Sequence, residues 1–339
     1  MTIILDAMGS DAHPDPEVQA AVTVAREDNT PIILVGNQDI IQPKLDALNA
    51  NGLPIRVVHT QEVLEMDDKP VENARKKAEN SMAVGLDLIK SGDGEAFITA
   101  GNTGGAMANA LMRLKRIKGV LRPALTAVFP VQDGRAVVLD IGANADCRPE
   151  FLHQFAMMGS IYAELVLGIK KPRVALLSNG EEAGKGNQLV KETYPLLAAS
   201  DLNFIGNAES KELFGGKVDV IVTDGFSGNI LLKTSEAVAK MITTQLKKEL
   251  MSSPRTKIGG LLAKPAFENL RKLMDPSEYG AAPLLGVDGL VFVGHGKSDA
   301  RAIVSAIRVA RRAVEANLLG ALRVSIEEKM AETSHPVDA

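Results

Sequence analysis

Residues 137–146, VVLDIGANAD, carry an apolar run directly into glycine and small polar residues ahead of a helical pattern, and residues 98–107, ITAGNTGGAM, and 220–229, VIVTDGFSGN, repeat that transition. A short buried strand, a glycine turn and a helix make the repeating unit of an α/β protein. The turns of such units sit at the carboxyl edge of the sheet, where ligands commonly bind. Outward from these three segments, further Val-, Ile- and Leu-rich runs occur at TIIL (2–5), PIILV (31–35), IRVVH (55–59), ALTAVF (124–129), RVALL (173–177) and GLVFV (289–293). Their continuous apolar character predicts a largely parallel sheet covered on both faces, a three-layer α/β/α architecture.

Residues 68–90, 226–250 and about 298–330 have helical spacing and predict long helices. The stretch 251–279, MSSPRTKIGGLLAKPAFENLRKLMDPSEY, mixes basic and apolar residues and contains no strand pattern, which predicts a helical hairpin projecting from the body. No linker or repeat divides the chain, so residues 1–330 are expected to form one domain and 331–339 a disordered tail.

Composition narrows the function. The 339 residues are 45% hydrophobic, enough for a sizeable core. No apolar run reaches the roughly 20 residues of a membrane-spanning helix, and the opening MTIILDAMGSD lacks the pattern of a signal peptide, so a cytoplasmic protein is expected. Cys147 is the single cysteine, which excludes an internal disulfide and a multi-cysteine metal cage. A net charge of -4, no Trp and three Tyr argue against nucleic acid as a partner. No P-loop and no GxGxxG after a strand is present, and the His and acidic residues form no metal motif, so no cofactor and no metal is expected.

The turns themselves suggest an anion. Gly101, Asn102, Thr103 and Gly104 open an apolar helix, and a helix start offers unpaired N–H groups at the positive end of its dipole. Gly142 and Asn144 repeat the arrangement, as do Gly225, Ser227, Gly228 and Asn229. Lys185 lies between two glycines in SNGEEAGKGN (178–187), ahead of another helix, where it can offer a point charge to the same kind of guest; a solvated loop lysine is the competing reading. Glu181 and Glu182 can orient Lys185, cap the helix or be solvated. Asp6 closes the first strand and can position a ligand or Lys185, while Asp11 is a candidate helix cap. His295 follows the strand GLVFV and can donate to a leaving group or be packed and satisfied.

Taken in order, DAMGSD, TAGNTGG, LRPAL (121–125), DIGANADCRPEFLHQFAMMGSIYA, GEEAGKGN, TDGFSGNILLK and LLGVDGLVFVGHGKS resemble the landmarks of the bacterial phosphate acyltransferases over about residues 2–310. The resemblance implies reversible transfer of a long-chain fatty acyl group from acyl carrier protein to inorganic phosphate. The acyl phosphate would feed a membrane glycerol-3-phosphate acyltransferase in phospholipid synthesis. It also implies a fold like the isocitrate and isopropylmalate dehydrogenase and phosphate acetyltransferase group, a homodimer, and peripheral contact with the inner face of the membrane. Departures are Ser10, Gly105, Ser178-Asn179 and Lys297, of which Lys297 alone changes size and charge.

Phosphate is already a competent nucleophile near neutral pH, so the reaction needs positioning, oxyanion donors and thiolate stabilisation more than a Ser-His-Asp set. Lys185 and Asn229 are the expected catalytic pair. Asp6, Gly101 to Gly104, Gly142, Asn144, Gly225, Ser227, Gly228 and His295 are expected around phosphate and carbonyl. In the hairpin, Arg255, Lys257, Lys264, Arg271 and Lys272 alternate with apolar residues including Leu261 and Leu262, a pattern suited to an acidic carrier or an anionic membrane surface and equally to dimer packing. An acyl-coenzyme A-dependent phosphate acyltransferase, an NAD(P)-dependent dehydrogenase of related fold and a membrane scaffold remain the alternatives.

Overall fold

The computed structural model describes residues 1–274 and 280–334. Its strands are β1 (Ile3–Asp6), β2 (Ile32–Gly36), β3 (Ile55–His59), β4 (Ala96–Thr99), β5 (Ala124–Val131), β6 (Gly134–Leu139), β7 (Val174–Leu177), β8 (Phe204–Ala208), β9 (Val220–Val222), β10 (Ala282–Leu285) and β11 (Leu290–Val293). They form one sheet in the order β3-β2-β1-β4-β11-β10-β5-β6-β9-β7-β8. Between them come α1 (Asp15–Asp28), α2 (Gln38–Ala47), α3 (Pro70–Lys76), α4 (Ser81–Ser91), α5 (Thr103–Arg113), α6 (Pro149–Leu165), α7 (Gln188–Ala198), α8 (Ser210–Phe214), α9 (Gly225–Leu250), α10 (Pro254–Leu262), α11 (Lys264–Met274), α12 (Ala300–Glu315) and α13 (Leu318–Ser334).

Side chains alternate between faces along a strand, and here both faces are dry. Ile3, Leu5, Ile32, Leu34, Ala96 and Ile98 join one buried cluster with α1, α6, α12 and α13, whereas Ile4, Ile33, Val35 and Phe97 join a second with α4, α5 and Leu213 of α8. Two apolar faces need two helical layers, which gives the three-layer fold.

Strand direction positions the functional turns. β1, β2, β3, β4 and β11 run parallel. The junctions β11–β10, β10–β5 and β5–β6 are antiparallel, after which β6, β9, β7 and β8 are parallel again. Three reversals turn the second parallel group over relative to the first, so its carboxyl ends lie at the opposite edge of the sheet.

Several sequence expectations change. β8 and β10 were not expected: FIGNA carries glycine and asparagine, and APLL carries proline, residues that obscure a strand pattern. The helix expected over 68–90 is two, because the Asn80 side chain accepts the Ala83 N–H at 3.1 Å and starts α4 afresh. The helix expected over 298–330 also divides, at Asn317, whose φ of 50° is left-handed. Residues 331–334 continue α13 instead of beginning a tail, and 335–339 lie outside the described residues.

Candidate functional site

At the first edge, Asp6 is wholly buried and leaves no surface open to a guest. Its Oδ1 accepts the Met8 N–H at 3.0 Å and its Oδ2 accepts the Thr99 hydroxyl at 2.7 Å, which ties β1 to β4, and burial pushes its carboxyl up from the ordinary value. Asn102 is also structural: it caps α5 by accepting the Gly105 N–H at 2.9 Å, while its amide faces the carbonyls of Glu65, Met66 and Asp68. Gly101 is buried against Thr99, whereas Thr103 and His295 are exposed, so His295 is not the packed histidine of the competing reading. Asp11 does not cap α1; its N–H donates to the Gly296 carbonyl at 2.7 Å.

Beneath this edge Glu17 is also fully buried, with Oε1 accepting the Ser10 N–H at 3.0 Å. Its Oε2 and the Ser10 hydroxyl have no hydrogen-bond partner among the described residues. Burial pushes the Glu17 carboxyl up to about 7. A group with a raised folded value binds its proton more tightly when folded, so stability falls as pH rises from about 4.5 to about 7 and is flat above. Glu17→Gln keeps the acceptor and removes the charge. It should match wild type at pH 4.5 and melt roughly 5 °C higher at pH 8, since the shift corresponds to roughly 3 kcal/mol. Parallel pH profiles of the melting temperature for the two proteins would contradict this.

At the second edge, Asp140 directly follows β6 and its carboxylate organises the following turn. Oδ1 accepts N–H groups of Leu125 (3.1 Å), Gly142 (3.1 Å) and Ala143 (2.9 Å), and Oδ2 accepts the Asn144 N–H (2.7 Å) and side-chain amide (2.8 Å). Asn144 also donates to the Pro123 carbonyl at 2.8 Å. At the start of α9, Asp224 accepts the Ser227 N–H at 2.8 Å and the Ser227 hydroxyl at 2.9 Å. The turns interlock: Gly225 N–H donates to Asn144 O at 2.7 Å, and a Cβ on Gly228 would run into the Asp140 carbonyl. Gly142, at φ 143°, sits beside Asn229, whose Cβ is 4.0 Å from the position a Gly142 Cβ would take.

This corrects the expectation that the N–H groups of Gly142 to Asn144 and of Ser227 are open to phosphate. Internal carboxylates already occupy them. The structure also separates the Gly101–Gly104 turn, at the first edge, from the Gly142 and Gly225 turns. Sequence reasoning left Asp140 and Asp224 off the site, although an Asp between a strand and a glycine, three residues ahead of Ser227, carries the signal of a cap.

Of the side chains expected at the site, Asn229 and Lys185 remain open at the second edge. Asn229 is exposed and its amide has no partner among the described residues. Lys185, in the loop beyond the end of β7, the strand beside β9, is exposed and its ammonium likewise has none. Gly180 leaves room for its stem, since a Cβ there would lie 2.8 Å from Lys185 Cγ. Glu181 does not orient it: that carboxylate faces Lys211 at 3.3 Å, which holds it below the ordinary range. Glu181, Glu209 and Glu212 bring carboxylate oxygens within 4.8 Å of one another, and Lys211 sits against all three. The ammonium takes the place a cation would need.

The residues 254–274 form the expected hairpin pair, α10 and α11. No side chain of α10 is buried, and it rests on α9. Ile258, Leu261 and Leu262 are 63%, 70% and 80% exposed, and Arg255, Lys257 and Lys264 are exposed beside them. The side chains of Arg271 and Lys272 and residues 275–279 lie outside the described residues. No described helix is long and apolar enough to cross a membrane.

Comparison with known proteins places this architecture. Among solved structures, a phosphotransacetylase from Streptococcus pyogenes superposes with a TM-score of 0.63 at 18% identity, covering 93% of this chain and 94% of its own. A 4-hydroxythreonine-4-phosphate dehydrogenase from Klebsiella pneumoniae gives 0.52 at 15% identity over 92% and 98%. These likenesses speak to fold alone. A curated phosphate acyltransferase of Elusimicrobium minutum is 45% identical across 97% of this chain and 96% of its own length. Because residues 1–320 also match the profile of the fatty acid synthesis protein family, the chain belongs to that family.

Proposed function

We propose that this chain is a phosphate acyltransferase that moves a long-chain acyl group from acyl carrier protein to inorganic phosphate, with the second edge as its reaction site. The unpaired Lys185 ammonium carries the reading. Asp140, Asp224 and Glu181 spend their carboxylates on internal partners at this edge, whereas the Lys185 ammonium has none among the described residues and is a charge left for a guest, to which Asn229 adds a neutral donor. Family membership and the name of the curated relatives point to the same chemistry.

Direct attack by phosphate on the thioester carbonyl fits the local chemistry. Cys147 is half-buried and burial pushes its thiol up to about 12, so little thiolate exists to act as nucleophile. The Ser227 hydroxyl donates to Asp224, a helix cap, and no histidine among the described residues hydrogen-bonds it. Incubation with long-chain acyl carrier protein, with and without phosphate, should release carrier thiol and give hydroxamate-reactive acyl phosphate only when phosphate is present. Activity confined to acyl-coenzyme A would move the donor to the alternative reading, and silence with both would overturn the function.

The α9–α11 projection supplies the docking surface for the carrier or an anionic membrane, and the protein works as a homodimer at the cytoplasmic face. Exposed Leu261 and Leu262 between basic side chains support this. Replacing Arg255, Lys257, Lys264, Arg271 and Lys272 with Gln should weaken binding to anionic vesicles or to the carrier by at least 10-fold in co-sedimentation or titration. Unchanged binding to both would remove the docking role.

A further inference from the structure

Two sequence blocks, LRPAL and DCRPEF, each carry an Arg-Pro step that the site described so far does not use. The fold brings both arginines onto one aromatic ring. The guanidinium carbon of Arg122 lies 6.0 Å from the centroid of Phe151, and that of Arg148 lies 4.7 Å from it. Both residues are exposed, and among the described residues neither has a carboxylate within ion-pair distance.

Other arginines of the chain behave differently. Arg113 meets Asp87, Arg173 meets Asp219, Arg308 meets Glu27, Arg311 meets Asp28 and Arg323 meets Asp288. Through their shared ring the two guanidinium carbons lie no more than about 11 Å apart, so their like charges repel. An anion that accepts from both forks removes it.

The pair also stands where an anion is wanted. Arg122 precedes Pro123, whose carbonyl holds Asn144, and Leu125, whose N–H holds Asp140. The start of β5 therefore lies beside the carboxyl end of β6, at the edge that carries Lys185 and Asn229. Arg148 is the N-cap residue of the 17-residue α6, with no side-chain cap, so the helix dipole adds to the field of the two charges.

We propose that Arg122 and Arg148 form an anion subsite for a phosphate group at this edge. The source of that group rests on the function proposed above: either inorganic phosphate itself or the phosphodiester of a carrier's pantetheine arm. Both offer the non-bridging oxygens that guanidinium forks recognise.

The test uses the full chain with Arg122→Gln and Arg148→Gln combined, alongside Arg122→Lys and Arg148→Lys combined. Phosphate and acyl-carrier KM are measured separately by hydroxamate formation, inorganic phosphate binding is measured by calorimetry, and melting temperature checks the fold. The Gln pair should raise one KM by at least 10-fold with kcat changed less, and the Lys pair should recover part of it. A rise for phosphate, with weaker phosphate binding, identifies inorganic phosphate; a rise for the carrier alone identifies the phosphodiester. Unchanged KM values and phosphate affinity in both folded variants would overturn the subsite. If wild type forms no acyl phosphate, the function falls, and binding still decides: affinity for phosphate or for the pantetheine-bearing carrier lost in the Gln pair upholds the subsite, and equal affinity for both refutes it.

Discussion

Lys185→Ala should lower phosphate-dependent acyl phosphate formation by about 100- to 1,000-fold, the usual consequence of removing one preorganised electrostatic donor. The ammonium has no internal partner among the described residues, so truncation strands no buried group and leaves the melting temperature within about 1 °C of wild type. That separation makes the experiment informative, because lost turnover in a protein of unchanged stability reads the reaction and not the fold. Asn229→Ala should act in the same direction with smaller effect, since a neutral donor stabilises developing charge less than a cation. Turnover of Lys185→Ala within a few fold of wild type would move the reaction away from this edge.

The sheet was legible because a buried strand feeding a glycine turn leaves a local signature, and VVLDIGANAD, ITAGNTGGAM and VIVTDGFSGN all carry it. The direction of those strands was not. Whether β6 runs with or against β4 depends on the short β10 and on the β5–β6 hairpin, and four residues reading APLL announce neither. The expectation of one phosphate cup built from three turns failed for that reason.

The residue types of the site were readable, but their employment was not. Asn102, Asn144 and Ser227 are polar residues at glycine turns, as a binding site requires, yet each spends its side chain within the protein. A sequence records that a donor exists and omits what it already bonds. Lys185 and Asn229 differ from them only in having nothing else to hold, which becomes visible once every neighbouring hydrogen bond is assigned.

Asp140→Ala should destabilise the protein by roughly 4 kcal/mol or more, by leaving four backbone N–H groups and the Asn144 amide without their acceptor. Asp140→Asn distinguishes the geometry from the charge. An amide oxygen in the Oδ1 position still serves Leu125, Gly142 and Ala143, but an NH₂ in the Oδ2 position faces two Asn144 donors. The Asn variant should therefore lose roughly 2 kcal/mol, about half the effect, in urea unfolding with an unchanged m-value. Because Gly225 and Gly228 rest directly on Asn144 and on the Asp140 carbonyl, loosening this turn also shifts the start of α9 and Asn229 with it. Activity should then fall further in the Ala variant than in the Asn variant, in the order of their stabilities. Equal unfolding free energies for wild type and Asp140→Ala would show that the turn holds its shape without the carboxylate, and that the glycine contacts alone position the edge.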